Sequence, residues 1–109
     1  MANTFKNSIS SSLGTTETTV YAAIGVTATI IGVAVSNVVT SSINVDIKLY
    51  DNSAAKSAYV IKNALVPAGS NLVLVGGEQK LVLESSDYLT VSSSLNNSTD
   101  IIVSVLEIS

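Results

Sequence analysis

Ser42-Ile43-Asn44-Val45-Asp46-Ile47-Lys48-Leu49-Tyr50 carries the pattern that decides the fold class. Ile43, Val45, Ile47 and Leu49 fall on one side of an extended chain; Asn44, Asp46 and Lys48 fall on the other. That period of two is the mark of a half-buried strand. Asp51-Asn52-Ser53 supplies turn chemistry directly after it. Residues 58–62 then read as the strand returning alongside.

Working outward, the same reading repeats. Residues 18–22 form a short strand and 26–36 a longer, nearly continuous apolar one. Pro67-Ala68-Gly69-Ser70 is the sharpest turn, proline fixing φ and glycine allowing a left-handed residue. Strands follow at 72–75, ended by Gly76-Gly77, at 80–84, and, after the turn Ser85-Ser86-Asp87, at 88–92. A loop at 95–100 leads to a last strand at 101–108, apolar on both faces and therefore expected to be central or covered. About eight short strands with turns every 8–12 residues predict an all-β fold. The expectation is a single antiparallel β-sandwich, jelly-roll or Ig-like, over residues 18–109.

Residues 1–17 read differently. They are polar, with Phe5, Ile9 and Leu13 as isolated apolar pegs four apart, and they predict an extended or loosely ordered N-terminal arm outside the sandwich, with simple terminal disorder as the alternative. On that reading, removing the arm leaves the fold intact and weakens assembly.

Residues 20–39 carry no charge and match a transmembrane helix in length. Their β-branched residues, Gly25, Gly32 and the alternation of residues 26–30 argue for strands instead, and no basic cluster flanks them. No secretory leader is read at the start, where Lys6 precedes a polar run. No membrane partner is expected.

Composition restricts the chemistry. Among 109 residues there is no Cys, His, Trp or Arg. Disulfides, conventional zinc or copper sites and the Ser–His or Cys–His nucleophile pairs are thereby excluded. Five scattered lysines (Lys6, Lys48, Lys56, Lys62, Lys80) in a chain of net charge −3 are the reverse of a nucleic-acid footprint. Charged residues make up 12% of the chain, about half the usual share. Ser, Thr and Asn supply 37 positions. Such a surface has little electrostatic protection against association and suits a protein packed against neighbours.

Asp46, Asp51, Asp87 and Asp100 could supply oxygens to calcium, but their spacing matches no ligand cassette, and they read as turn formers. Glu84 and Asp87 as an acid–base pair lack a cleft or partner base. Gly76-Gly77-Glu78-Gln79-Lys80 lacks the spacing of a phosphate loop, and the two acceptor-like triplets within Asn96-Asn97-Ser98-Thr99 read as composition. No enzyme activity, cofactor or metal is expected. Tyr50, Tyr59 and Tyr88 read as interface aromatics, with sugar stacking as the alternative.

Val66-Pro67-Ala68-Gly69-Ser70-Asn71-Leu72, Gln79-Lys80-Leu81-Val82-Leu83-Glu84 and Asp87-Tyr88-Leu89-Thr90-Val91 together resemble small virion proteins of tailed phages, particularly of marine cyanophage-type myoviruses and podoviruses. The opening Met1-Ala2-Asn3-Thr4-Phe5-Lys6-Asn7 and the closing Val103-Ser104-Val105-Leu106-Glu107-Ile108 resemble them too. That group often carries glycine before the aspartate, where this chain has Ser86. The resemblance implies a β-sandwich in the virion and transfers no catalytic residue. The resulting expectation is a capsid decoration protein, with a neck, tail or fibre accessory or a carbohydrate-binding adhesion module as alternatives. Its partners would be other virion proteins and further copies of itself. Phe5, Ile9, Leu13, Tyr50, Tyr59 and Tyr88 are the candidate assembly contacts.

Overall fold

The computed structural model describes residues 3–75 and 81–108, and over them the chain forms nine strands. These are β1 (Asn3–Leu13), β2 (Thr18–Ala22), β3 (Thr27–Asn37), β4 (Ile43–Asp51), β5 (Lys56–Val66), β6 (Asn71–Val75), β7 (Leu81–Leu83), β8 (Tyr88–Ser93) and β9 (Thr99–Ile108). The glycine pair Gly76-Gly77, the discarded phosphate-loop stretch 76–80 and the opening Met1-Ala2 lie outside the described residues.

Every strand pair is antiparallel. One sheet runs β1-β9-β3, and the far side of β3 is shared by β6 and β7; the other runs β2-β8-β4-β5. The first and last strands are neighbours, and β1 to β4 alternate between the sheets. This is the order of a jelly roll, which decides between the two sandwich types the sequence allows.

The core lies between the sheets and follows the alternation. Ile43, Val45 and Ile47 of β4 are buried, as are Ile30, Val33 and Val35 of β3 and Ile101, Val103 and Val105 of β9. Each such aliphatic side chain contributes roughly 1.5–3 kcal/mol when taken from water. The apolar stretch 20–39 is divided between β2 and β3, joined through Gly25 at φ 70°. Among the described residues no helix is long and apolar enough to cross a membrane.

Two turns have the geometry their residues suggest. The Ser70 N–H donates to the Pro67 carbonyl with Gly69 at φ 69°, and the Asp87 N–H donates to Glu84 with Ser86 at φ 78°. A positive φ at the third position only is the type II turn.

The segment read as an arm is the main departure. It is extended, but Asn3–Leu13 is hydrogen-bonded along β9 as the outer strand of the first sheet. None of its eleven residues is buried. Apart from Leu13 at its end, its inward side chains meet the edge of the second sheet rather than the core: the Ser8 hydroxyl donates to the Val20 carbonyl at 2.7 Å. Main-chain bonds, not apolar burial, hold this strand, so a hydropathy reading finds nothing there. Removing it would strip β9 of its outer neighbour, contrary to the expectation that the fold is indifferent to it.

Candidate interaction surface

Antiparallel register places paired residues on the same face of a sheet, so the outer face of the first sheet can be read row by row. Phe5, Leu106, Thr29 and Val82 lie across one row, and Ile9, Ile102 and Ala34 across another. Between them lie Asn7 and Ser104, with Ile31 at a bulge in β3. Phe5, Asn7, Ile31 and Ser104, with Lys6 and Val105, border a shallow hollow of about 290 Å³. Phe5 is 75% exposed, Ile9 67%, Val82 59% and Ile102 46%. Among the described residues these rows hold no charge until Asp100, opposite Ser36 at one end, and Glu84, just beyond β7.

The outer face of the second sheet is built otherwise. Tyr50 and Tyr88 are register partners, and their rings stack with centroids 5.0 Å apart. Tyr59, opposite Lys48, takes the Lys62 ammonium over its ring at 4.2 Å. Lys48 pairs with Glu17 at 2.9 Å, and the Thr90 hydroxyl donates to the same carboxylate. The Lys48 ammonium, then Thr90, hold the Glu17 carboxyl below its ordinary range. One face is therefore apolar and bare, the other polar and aromatic, with one ion pair and a lysine over a tyrosine ring.

The six candidate contacts divide between these surfaces. Phe5 and Ile9 lie on the apolar face, while Leu13 turns toward the core and packs against it. The three tyrosines lie on the opposite face. Sequence reading missed Ile31, Val82, Ile102 and Leu106 as surface residues. The signal was present in β9, whose two apolar faces mark a central strand: it is central, yet only its inner face is covered.

Asp51 and Asp87 serve turns as read, whereas Asp46 and Asp100 lie within β4 and β9 and accept from neighbouring strands. Asp87 is buried, and its two oxygens accept from the Asn52 and Glu84 N–H groups. Asp51 accepts from the Ser53 hydroxyl and from the Ser53 and Ala54 N–H groups, which lower its pKa. Asp46 accepts from Asn63 N–H, and Asp100 from Ser12 N–H. The fold brings Asp51, Glu84 and Asp87 within 4.8 Å of one another and leaves Asp46 and Asp100 apart from them. A second hollow, about 350 Å³ at the corner between β1 and β2, is lined by Ser12, Leu13, Gly14, Thr16, Thr18, Asn96 and Asn97. Neither hollow has a carboxylate among its described lining residues.

No family model matches the chain, and no curated protein does. Solved structures do match in fold. Over 97% of its length the chain is similar to a chain of the T13 IBDV viral particle, with a TM-score of 0.60 and 12% identity. It spans 31% of that larger chain. Over 99% of its length it is similar to a chain from Bacillus endospore appendages, described as a novel family of disulfide-linked pili, with a TM-score of 0.54 and 12% identity. In that case it spans 87% of the other chain. At this identity the likeness is one of fold.

Proposed function

We propose that this chain is a non-enzymatic structural subunit of a tailed-phage virion, and within that class a decoration protein seated on the capsid. The observation that carries the reading is the uncharged apolar face formed by Phe5, Ile9, Ile31, Val82, Ile102 and Leu106. A bare sheet face of this kind lowers the free energy when it leaves water and costs little to desolvate, because it carries few charges. The fold likeness to a chain of a viral particle and to a chain of endospore pili, both assembled structures, supports the same reading. The disulfide linkage of the pili has no counterpart here, since the chain contains no cysteine.

Immunogold labelling of purified particles tests the reading. Gold spread over the heads supports decoration. Gold confined to the neck or tail moves the assignment to an accessory of that region, and particles without gold overturn it. Val82→Lys places a charge at the exposed far end of the apolar row and is expected to abolish particle binding while leaving the fold unchanged.

The tyrosine face favours a second reading, a glycan-binding adhesion module, because Tyr50, Tyr59 and Tyr88 gather on one sheet. Unchanged binding of the Tyr59→Ala and Tyr88→Ala variants to host-surface glycans would remove it.

A further inference from the structure

The four sheet edges are not equally protected. Natural sheets blunt their edges with short strands, bulges, lysines or proline. β2 is five residues long and bulged between Thr19 and Tyr21. β5 carries Lys56 and Lys62, two irregularities against β4, and Asn63 at φ 54°. β6 and β7 are five and three residues long. In β1 such features are confined to its end, a register shift after Ser10 and Ser12 at φ 55°: the strand is eleven residues long and keeps an unbroken register with β9 over residues 3–10. Its one lysine, Lys6, is drawn inward to Glu107 at 3.1 Å. Among the described residues, no backbone bond outside the β9 ladder engages residues 3–10.

We infer that the free edge of β1 pairs with β1 of a second copy, antiparallel about a two-fold axis through Asn7, so that one sheet runs through both molecules. The register follows from the side chains. A two-fold axis perpendicular to the sheet keeps outer residues on the outer face, so the paired numbers must have an even sum. With a sum of 14, Phe5 faces Ile9 of the second copy, Thr4 faces Ser10, Lys6 faces Ser8, and Asn7 faces itself. Aromatic and β-branched side chains thus meet across the strands, a stabilising pairing. An axis through Lys6 sets two ammonium groups opposite each other. An axis through Ser8 sets Phe5 and Ile9 against polar residues. Axes through Phe5 or Ile9 also bring apolar residues together but overlap less of the regular stretch; the Asn7 register joins apolar to apolar, separates the charges and pairs residues 4–10. This inference concerns self-pairing and does not depend on where the chain sits on a particle.

The absence of cysteine makes the test direct. Opposed residues of an antiparallel pair have Cα atoms about 4.5–5.5 Å apart, within disulfide range. Same-residue pairs at position 5 would be offset by four residues along the strand, about 13 Å. The unmodified chain should sediment as a dimer. Asn7→Cys should oxidise to a covalent dimer, Phe5→Cys alone should not, and a mixture of Phe5→Cys with Ile9→Cys should give the heterodimer. Combining Phe5→Lys with Ile9→Lys on these exposed positions should raise the dissociation constant at least tenfold with unchanged far-UV circular dichroism. A wild-type chain that remains monomeric, or cross-links that form with equal ease at position 5, overturns the inference. Val82→Lys leaves self-pairing intact, so loss of particle binding and loss of dimer are separable results.

Discussion

Asn37, buried at the end of β3, donates its side-chain amide to the Val66 carbonyl at 2.9 Å and so ties the last residue of one strand to the last of another in the opposite sheet. The same amide donates to Ser41, and its oxygen accepts from the Val39 N–H. One side chain therefore satisfies three backbone groups where the chain leaves β3. Asn37→Leu should cost about 2–4 kcal/mol, because these groups lose their partner inside the fold. Urea unfolding should show a lower midpoint at unchanged slope; a change below about 0.5 kcal/mol would mean that water replaces the amide freely.

Ser86 is at φ 78°, in the third position of the type II turn that closes on Asp87. An L-residue there costs about 1–2 kcal/mol, part of which glycine returns as unfolded-state entropy. Ser86→Gly should therefore stabilise by about 0.5–1 kcal/mol and raise the thermal midpoint by a few degrees. A lowered midpoint would show that the serine side chain contributes something beyond the turn.

Stability should form a plateau with two limbs. Glu107 is held below its ordinary value of 4.5 by the Tyr21 hydroxyl and then by Lys6, and Glu17 and Asp51 are lowered as well. Groups whose folded pKa is depressed contribute fully above the unfolded value and lose that contribution as pH falls through the folded one. The acid limb therefore opens below about pH 4.5. Tyr21 is pushed above its ordinary value of 10.0 by burial and by the Glu107 carboxylate. Its hydroxyl contributes below that pH, and the contribution is lost on raising the pH further. Tyr21→Phe should lower the plateau by about 1 kcal/mol and shrink both limbs. Denaturation midpoints from pH 3 to 11 would show this, and unchanged limbs would place the titrating groups elsewhere.

Gly14 is needed for lack of space rather than for its backbone angle. A Cβ there would stand 2.6 Å from Asn96 Oδ1 and 2.8 Å from its Cα. The corner is also held by bonds from Ser93 N–H to the Gly14 carbonyl and from Ser98 N–H to Leu13. Gly14→Ala should push the corner away from the loop after β8 and cost about 1–3 kcal/mol. Faster amide exchange at Ser93 and Ser98 would be the local signature; protection equal to wild type would show that the loop yields without cost.

Legibility in the sequence followed burial. Residues 43–49 and 101–105 face a core on one side, so their alternation gives strand, face and centrality at once. β5 runs from Lys56 to Val66 where only residues 58–62 were readable, because two irregularities in its pairing with β4 break the period of two. β1 was unreadable for a different reason: Phe5, Ile9 and Leu13 stand four apart, a spacing that suits a helix face and a strand face equally. Its inward residues up to Ser10 are polar because they meet a sheet edge. The apolar face was half legible, since Ile102 and Leu106 stand out in β9 but Phe5 and Val82 join them only through the register.

The adjacency of β1 and β9 also has a mechanical meaning. Asn3 is paired with Ile108, so the two ends of the described chain start the same ladder from the same side. The hydrogen bonds of an antiparallel ladder run across the strands. A pull that separates Asn3 from Ile108 therefore loads one rung at a time, as a zipper is opened, instead of shearing the whole row together. Tension applied through these ends would peel β1 at low force. Load borne without unzipping must enter this molecule through its faces and edges.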